Sequence, residues 1–225
     1  MIIIRGEGGK AFCAGGDIKD LTLPTYDGDY SGTDFFREEY QLDYALATFP
    51  RPVVALMHGV VMGGGVGLSV HTPVRVGTEK TLFAMPETGI GLFPDVGAGH
   101  FLPRIKQPGL GMFLGLTGER LKGGNCHHAG VVNHMVSASK LEELETRLSK
   151  LPPGLSVEEV HEAVKEFETL EIGEFSLQDQ LENIEKHFTG KETIHQLMQD
   201  LDGKRLSAVL RVSLPICAKH NLGHP

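Results

Sequence analysis

Residues 53–70 read "VVALMHGVVMGGGVGLSV", and how this run is interpreted decides the fold. It approaches the length of a membrane span, yet it carries five glycines and His58. A span wants about 20 predominantly apolar residues, and glycines weaken a continuous helix. A buried strand, a tight turn and a helix that opens on the triplet Gly63, Gly64 and Gly65 account for the run better, so no membrane partner is expected.

Outward from this centre the first half alternates short apolar runs with helical patterns. "MIIIRG" (1–6), "PVVALMHG" (52–59), "VRVGT" (74–78) and "TLFAMPE" (81–87) predict strands, whereas "TDFFREEYQLDYALATF" (33–49) and "GGVGLSVH" (64–71) predict helices. This alternation is that of a layered α/β core. From about Leu110 onward helices dominate: residues 137–151, 156–170, 176–188 and 191–201 all read as amphipathic, with Ser156 and Glu159 spaced as a capping box. Pro152, Pro153 and Gly154 predict a boundary between the core and a helical tail.

The 225 residues, 40% hydrophobic, suffice for a substantial core. A net charge of -8 and the absence of any Lys/Arg run longer than Lys204 and Arg205 exclude a basic footprint, so nucleic acid is not an expected partner. Cys13, Cys126 and Cys217 are too few and scattered for a disulfide framework, which fits a reducing compartment. The opening "MIIIRGEGG" has neither the apolar region of a signal peptide nor the character of a transit peptide, so no targeting segment is read here.

Chemistry concentrates in four places. In "GGKAFCAGGDI" (8–18) a short strand runs into a Gly-rich turn closing on Asp17; such a turn can offer fixed N–H donors to an anion, or be a loop with Asp17 as helix N-cap. "HGVVMGGGVGL" (58–68) follows a strand and opens a helix. It fails as a dinucleotide fingerprint because position 68 is Leu, and as a P-loop because no Gly-Lys-Ser/Thr follows, leaving close helix packing or an oxyanion site. On the first helix Glu39 shares a face with Phe35, Phe36, Leu42 and Leu46, so its carboxylate needs either a basic partner or a ligand. Finally, "LFAMPETGIGLFPDVGAGHF" (82–101) sets Glu87 at a strand end and Asp95 at a helix start, where a solvent acid and an N-cap are the plain alternatives to a site. Cys126, His127, His128 and His134 lack zinc spacing, so no metal site is expected, and no Gly-x-Ser-x-Gly elbow is present.

Taken together, these four stretches resemble, over about residues 2–136, the crotonase (enoyl-CoA hydratase/isomerase) superfamily, and within it the branch that hydrolyses the thioester of 3-hydroxyisobutyryl-CoA in valine breakdown. The resemblance implies a crotonase-like ββα superhelix core over residues 1–136, without the family's first strand and helix, and a C-terminal helical region over 137–225. It implies an acyl-CoA substrate with no separate cofactor, CoA being part of the substrate. The thioester oxygen would be held in an oxyanion hole by the N–H groups of Gly16 and Gly64, and the Ala14 carbonyl would meet the adenine of CoA. Glu87 and Asp95 would be catalytic, with Glu39, Gly64, Glu87 and Asp95 binding substrate; whether Glu87 attacks the carbonyl or activates water is open. Two residues after the glycine triplet, where hydratases carry a glutamate, this chain has Gly67. A hydratase or isomerase in the same fold, and a truncated non-catalytic form, are the alternatives. The resemblance further implies mitochondrial residence and a homo-oligomer. Because the chain opens at what matches the family's second strand, a truncated form is expected, with an uncovered sheet edge that lowers solubility unless a partner covers it.

Overall fold

The computed structural model describes residues 1–17, 21, 32–169 and 171–201. Its strands are β1 (Ile2–Arg5), β2 (Ala11–Cys13), β3 (Val53–Met57), β4 (Val60–Met62), β5 (Val74–Gly77), β6 (Leu82–Ala84), β7 (Leu121–Lys122) and β8 (His134–Met135). The α-helices are α1 (Gly32–Ala47), α2 (Gly64–Val70), α3 (Ala98–Phe101), α4 (Leu110–Thr117), α5 (Gly124–His128), α6 (Leu141–Ser149), α7 (Val157–Lys165), α8 (Leu181–Phe188) and α9 (Ile194–Leu201).

Among the described residues the strands sort into two four-stranded sheets, one ordered β1-β3-β5-β8 and the other β2-β4-β6-β7. All pairs are parallel except β6 with β7. From β1 to β6 the chain thus delivers one strand to each sheet in turn as it winds, which is the ββα superhelix; β7 then joins the second sheet again and β8 the first. The break between β3 and β4 depends on Gly59: its φ is +78°, and a Cβ there would lie 2.3 Å from the Lys10 carbonyl oxygen. A side chain at that position would meet backbone rather than a yielding side-chain tip.

All five residues of β3 are buried, the continuous apolar run expected of a parallel strand covered on both faces. Alternation then divides them. Ala55 and Met57 join Phe12, Val61, Phe83, Leu110 and Phe113 in one core; Val54 and Leu56 join Val74, Val76, Leu144, Leu148, Val160 and Val164 in a second. The second core therefore holds α6 and α7 against the first sheet. Residues 152–154, expected as a boundary, are instead part of the turn between these two packed helices. The start of α7 carries the predicted capping box: Glu159 N–H donates to Ser156 Oγ at 3.2 Å and Ser156 N–H to Glu159 Oε2 at 2.8 Å.

β4, β7 and β8 were not legible as strands, since two or three residues carry no period. Among the described residues β1 is an edge strand, and no helix is long and apolar enough to cross a membrane.

Candidate active site

Three neighbouring strands set the site. β2 and β4 run in parallel with Ala11 opposite Val60 and Cys13 opposite Val61, so the Gly-rich turns at their C-terminal ends come into contact. A Cβ on Gly15 would stand 3.3 Å from the Gly64 nitrogen, and one on Gly65 only 2.1 Å from the Cys13 carbonyl oxygen. β6 continues the row with Val60 opposite Leu82 and Met62 opposite Ala84, carrying Glu87 alongside. A Cβ on Gly63, whose φ is +51°, would be 3.4 Å from Glu87 Oε1. The carboxyl ends of parallel strands are where open α/β sheets bind ligands.

The helix α1 covers this junction. A Cβ on Gly64 would fall 2.1 Å from Glu39 Oε1, and one on Gly67 2.5 Å and 2.7 Å from the two carboxylate oxygens of Asp43. The result is a cavity of about 140 Å³ whose polar lining includes Glu39, Glu87 and Asp95 beside the backbone of Ala14, Gly16 and Gly64. Phe35, Phe36, Ile90 and Leu92 form apolar walls. All six residues singled out in the sequence thus meet in one place.

Its electrostatics follow from burial. Glu87 is 4% exposed, and among the described residues neither of its oxygens has a hydrogen-bond partner. Burial pushes its carboxyl up to about 7, the charge of Asp95 adding to this and its own backbone N–H opposing it. Glu39 is pushed up to about 7, first by burial, then by Asp95 and Asp43. Asp43, 6% exposed and likewise unpartnered among the described residues, rises to about 6 by burial and then by Asp95. The Tyr40 hydroxyl donates to Asp95 Oδ2 at 2.7 Å, and burial, that bond and the surrounding acids all raise its proton affinity.

Several plain alternatives give way. Asp95 does not cap α3: that position is Gly97, without a side-chain bond, while the Asp95 carbonyl takes the Ala98 N–H at 2.7 Å and its carboxylate takes Tyr40. Glu87 is not a solvent-facing strand end but the buried first residue of a 3₁₀ turn, Glu87–Ile90. Glu39 faces acids rather than a basic partner. Leu42 is 47% exposed, so the buried line of α1 runs through Phe36, Glu39, Asp43 and Leu46. Asp43 and Tyr40 were missed, although Asp43 lies four residues after Glu39 and three before Leu46 and so was findable by period. The N-cap reading of Asp17 concerns a helix outside the described residues. Among the described residues no cluster of His, Cys, Asp or Glu suits a metal; His134 is buried, bonded to Glu168 and, at 2.5 Å, to His161.

Comparison with known proteins places the chain in a family. The family model for enoyl-CoA hydratase/isomerase matches residues 1–214. A mitochondrial 3-hydroxyisobutyryl-CoA hydrolase of Danio rerio is 49% identical over 206 residues, 89% of this chain and 54% of that protein. Its counterpart in Rattus norvegicus is 60% identical over 151 residues, 67% of this chain and 39% of that one. The chain spans about half the length of the relatives it matches. Among solved structures, an enoyl-CoA hydratase from Rhodobacter sphaeroides superposes with a TM-score of 0.78 at 34% identity, covering 95% of this chain and 59% of that one. A carnitinyl-CoA dehydratase from Mycobacterium thermoresistibile gives 0.80 at 30%, covering 95% and 60%. The chain belongs to the enoyl-CoA hydratase/isomerase family.

Proposed function

We propose that this chain carries the thioester-cleaving site for 3-hydroxyisobutyryl-CoA, or a similar short β-hydroxyacyl-CoA, releasing the free acid and CoA. The observation that carries the reading is Glu87: a buried carboxylate, unpartnered among the described residues, whose Oε1 lies 3.4 Å from the Cβ position of Gly63, in the cavity lined by both Gly-rich turns. The names of the relatives support the substrate.

In this reading the N–H groups of Gly16 and Gly64 hold the thioester oxygen. They stabilise the negative charge that grows on it during attack more than they stabilise the ground state, and one such donor is worth about 2.7–4 kcal/mol. Glu87 attacks the carbonyl carbon; the C–S bond breaks, and CoA leaves as a thiolate that takes a proton. Water then opens the resulting anhydride at the Glu87 carbon, freeing the acid and restoring the carboxylate. Asp95, held through one oxygen by Tyr40, accepts from the substrate's hydroxyl, and Glu39 contacts the acyl group from α1. The Ala14 carbonyl meets the adenine of CoA. No separate cofactor takes part in this scheme. Residence in mitochondria, self-association and the division at residue 136 into acyl-CoA core and helical region belong to the same reading.

The experiment is a paired assay. With 3-hydroxyisobutyryl-CoA, free thiol should accumulate, and Glu87→Gln and Asp95→Asn should abolish it. With crotonyl-CoA, the enoyl absorbance should stay constant. Loss of enoyl absorbance without thiol release would assign the site to water addition instead, and thiol release equal in wild type and both variants would remove Glu87 and Asp95 from the chemistry.

A further inference from the structure

Among the described residues, Val96 is the one residue other than glycine whose backbone lies in the left-handed region, at a φ of +41°. That region is disfavoured for residues with a Cβ, and most of all for a β-branched one. Such a conformation persists only where its surroundings over-determine it. Here it directly follows Asp95, so the rotation at Val96 sets the direction from which the chain presents that acid to the cavity.

Two anchors hold Val96. Its side chain, 1% exposed, is packed in the first core. Its carbonyl oxygen meets His71 Nε2 at 2.8 Å. A carbonyl only accepts, so Nε2 carries the hydrogen and donates. The imidazole is itself fixed: it stands edge-on to Phe101, 6.2 Å between ring centroids, and a Cβ on Gly97 would fall 2.5 Å from its Nε2. The flanking carbonyls are taken as well, that of Asp95 by the Ala98 N–H at 2.7 Å and that of Gly97 by the His100 N–H at 2.8 Å. His71 also closes α2, the seven-residue helix that opens on Gly64. Its bond to Val96 therefore joins the far end of the helix bearing one proposed oxyanion donor to the segment bearing the proposed acid.

We propose that His71 is a positioning residue acting on Asp95: its Nε2–H holds the Val96 carbonyl, keeps Val96 at positive φ and so fixes where the Asp95 carboxylate meets the substrate's hydroxyl. Without that donor the ordinary basin near a φ of about −60° opens, a turn of roughly 100° at the N–Cα bond that follows the Asp95 peptide. Tyr40 holds the carboxylate and His71 the backbone behind it, so the acid is fixed from both ends.

The role of Asp95 toward substrate rests on the thioesterase reading, so the first test is made without substrate, by crystal structures of wild type, His71→Gln and His71→Leu. Gln ends in an N–H that reaches the position of Nε2, whereas Leu ends in methyl groups. Val96 should keep its positive φ in wild type and His71→Gln. In His71→Leu it should turn negative, with the distance from Tyr40 to Asp95 opening beyond about 3.5 Å. His71→Asn, whose amide stops at the level of Nδ1 and falls short of the carbonyl, covers the case in which His71→Leu does not fold. A positive φ at Val96 with the Tyr40 bond intact in the donor-free variants overturns the proposal. In turnover, His71→Leu should lose about 10- to 100-fold in kcat/KM, the scale of an ångström's misplacement, while His71→Gln stays within about threefold of wild type. Added to Val96→Gly, in which left-handed backbone carries no steric penalty, His71→Leu should cost no more than about threefold further. Equal losses in His71→Gln and His71→Leu, or the full loss again on top of Val96→Gly, would contradict action through Val96. A negative φ in His71→Leu of a protein whose wild type releases no thiol would leave the clamp standing and remove only the proposed activity.

Discussion

The Tyr40 hydroxyl donates to Asp95 Oδ2 at 2.7 Å, tying α1 to the loop before α3 across 55 positions of sequence. That single bond fixes one oxygen of an acid whose charge reaches Glu39, Asp43 and Glu87.

Tyr40→Phe keeps the ring against Phe36, 6.1 Å between centroids, and removes only the donor. A hydrogen bond to a charged group contributes about 1.5–3 kcal/mol net, so kcat/KM for thioester cleavage should fall by at least about tenfold with secondary structure intact. A kcat/KM within about twofold of wild type would mean that Asp95 needs no tether.

The raised carboxyls make stability depend on pH in a definite direction. Glu87 passes from an ordinary 4.5 to about 7 on folding, so between those values the folded state holds more protons than the unfolded one. Stability from this group is present below about 4.5 and is lost as pH rises toward 7. Glu87→Gln removes the dependence: its Tm should exceed that of wild type near pH 8, by an amount equivalent to about 0.5–2 kcal/mol, and converge with it near pH 4. Parallel Tm curves for the two proteins would contradict a buried, unpaired Glu87.

Activity should run the other way. Attack requires the ionised carboxylate, so kcat/KM should fall tenfold per unit as pH drops below about 7, the value to which burial lifts Glu87. A flat profile down to the ordinary carboxylate range would place the titrating group elsewhere.

Two glycine substitutions should separate structure from site. Gly59→Ala forces a Cβ to within 2.3 Å of a backbone oxygen at a φ of +78°, and should cost about 1–3 kcal/mol of stability. Gly64→Ala meets the tip of Glu39 at 2.1 Å, a side chain that can swing away, so denaturant midpoints should change little while KM rises. Equal loss of stability in both would show that Glu39 is structurally fixed.

Much of this was legible because local patterns were long enough. The five-residue apolar run of β3, the period of α1 and the capping box at Ser156 each identify an element unaided. β7 and β8 were not, for they exist only through pairing with β6 and β5. Within the site, Glu39, Glu87 and Asp95 were visible as acids in apolar company. Asp43 lies on the same period, but one acid among several on this helix reads as surface, and its burial arises only where α1 meets Gly67, 24 positions later in the chain. Tyr40 likewise gains its meaning from Asp95.

The most direct test of the account is a single turnover with 3-hydroxyisobutyryl-CoA in oxygen-18 water, followed by mass analysis of the peptide containing Glu87. Attack by Glu87 predicts CoA release with one oxygen-18 incorporated into its carboxylate; CoA release with an unlabelled Glu87 would contradict attack by this residue.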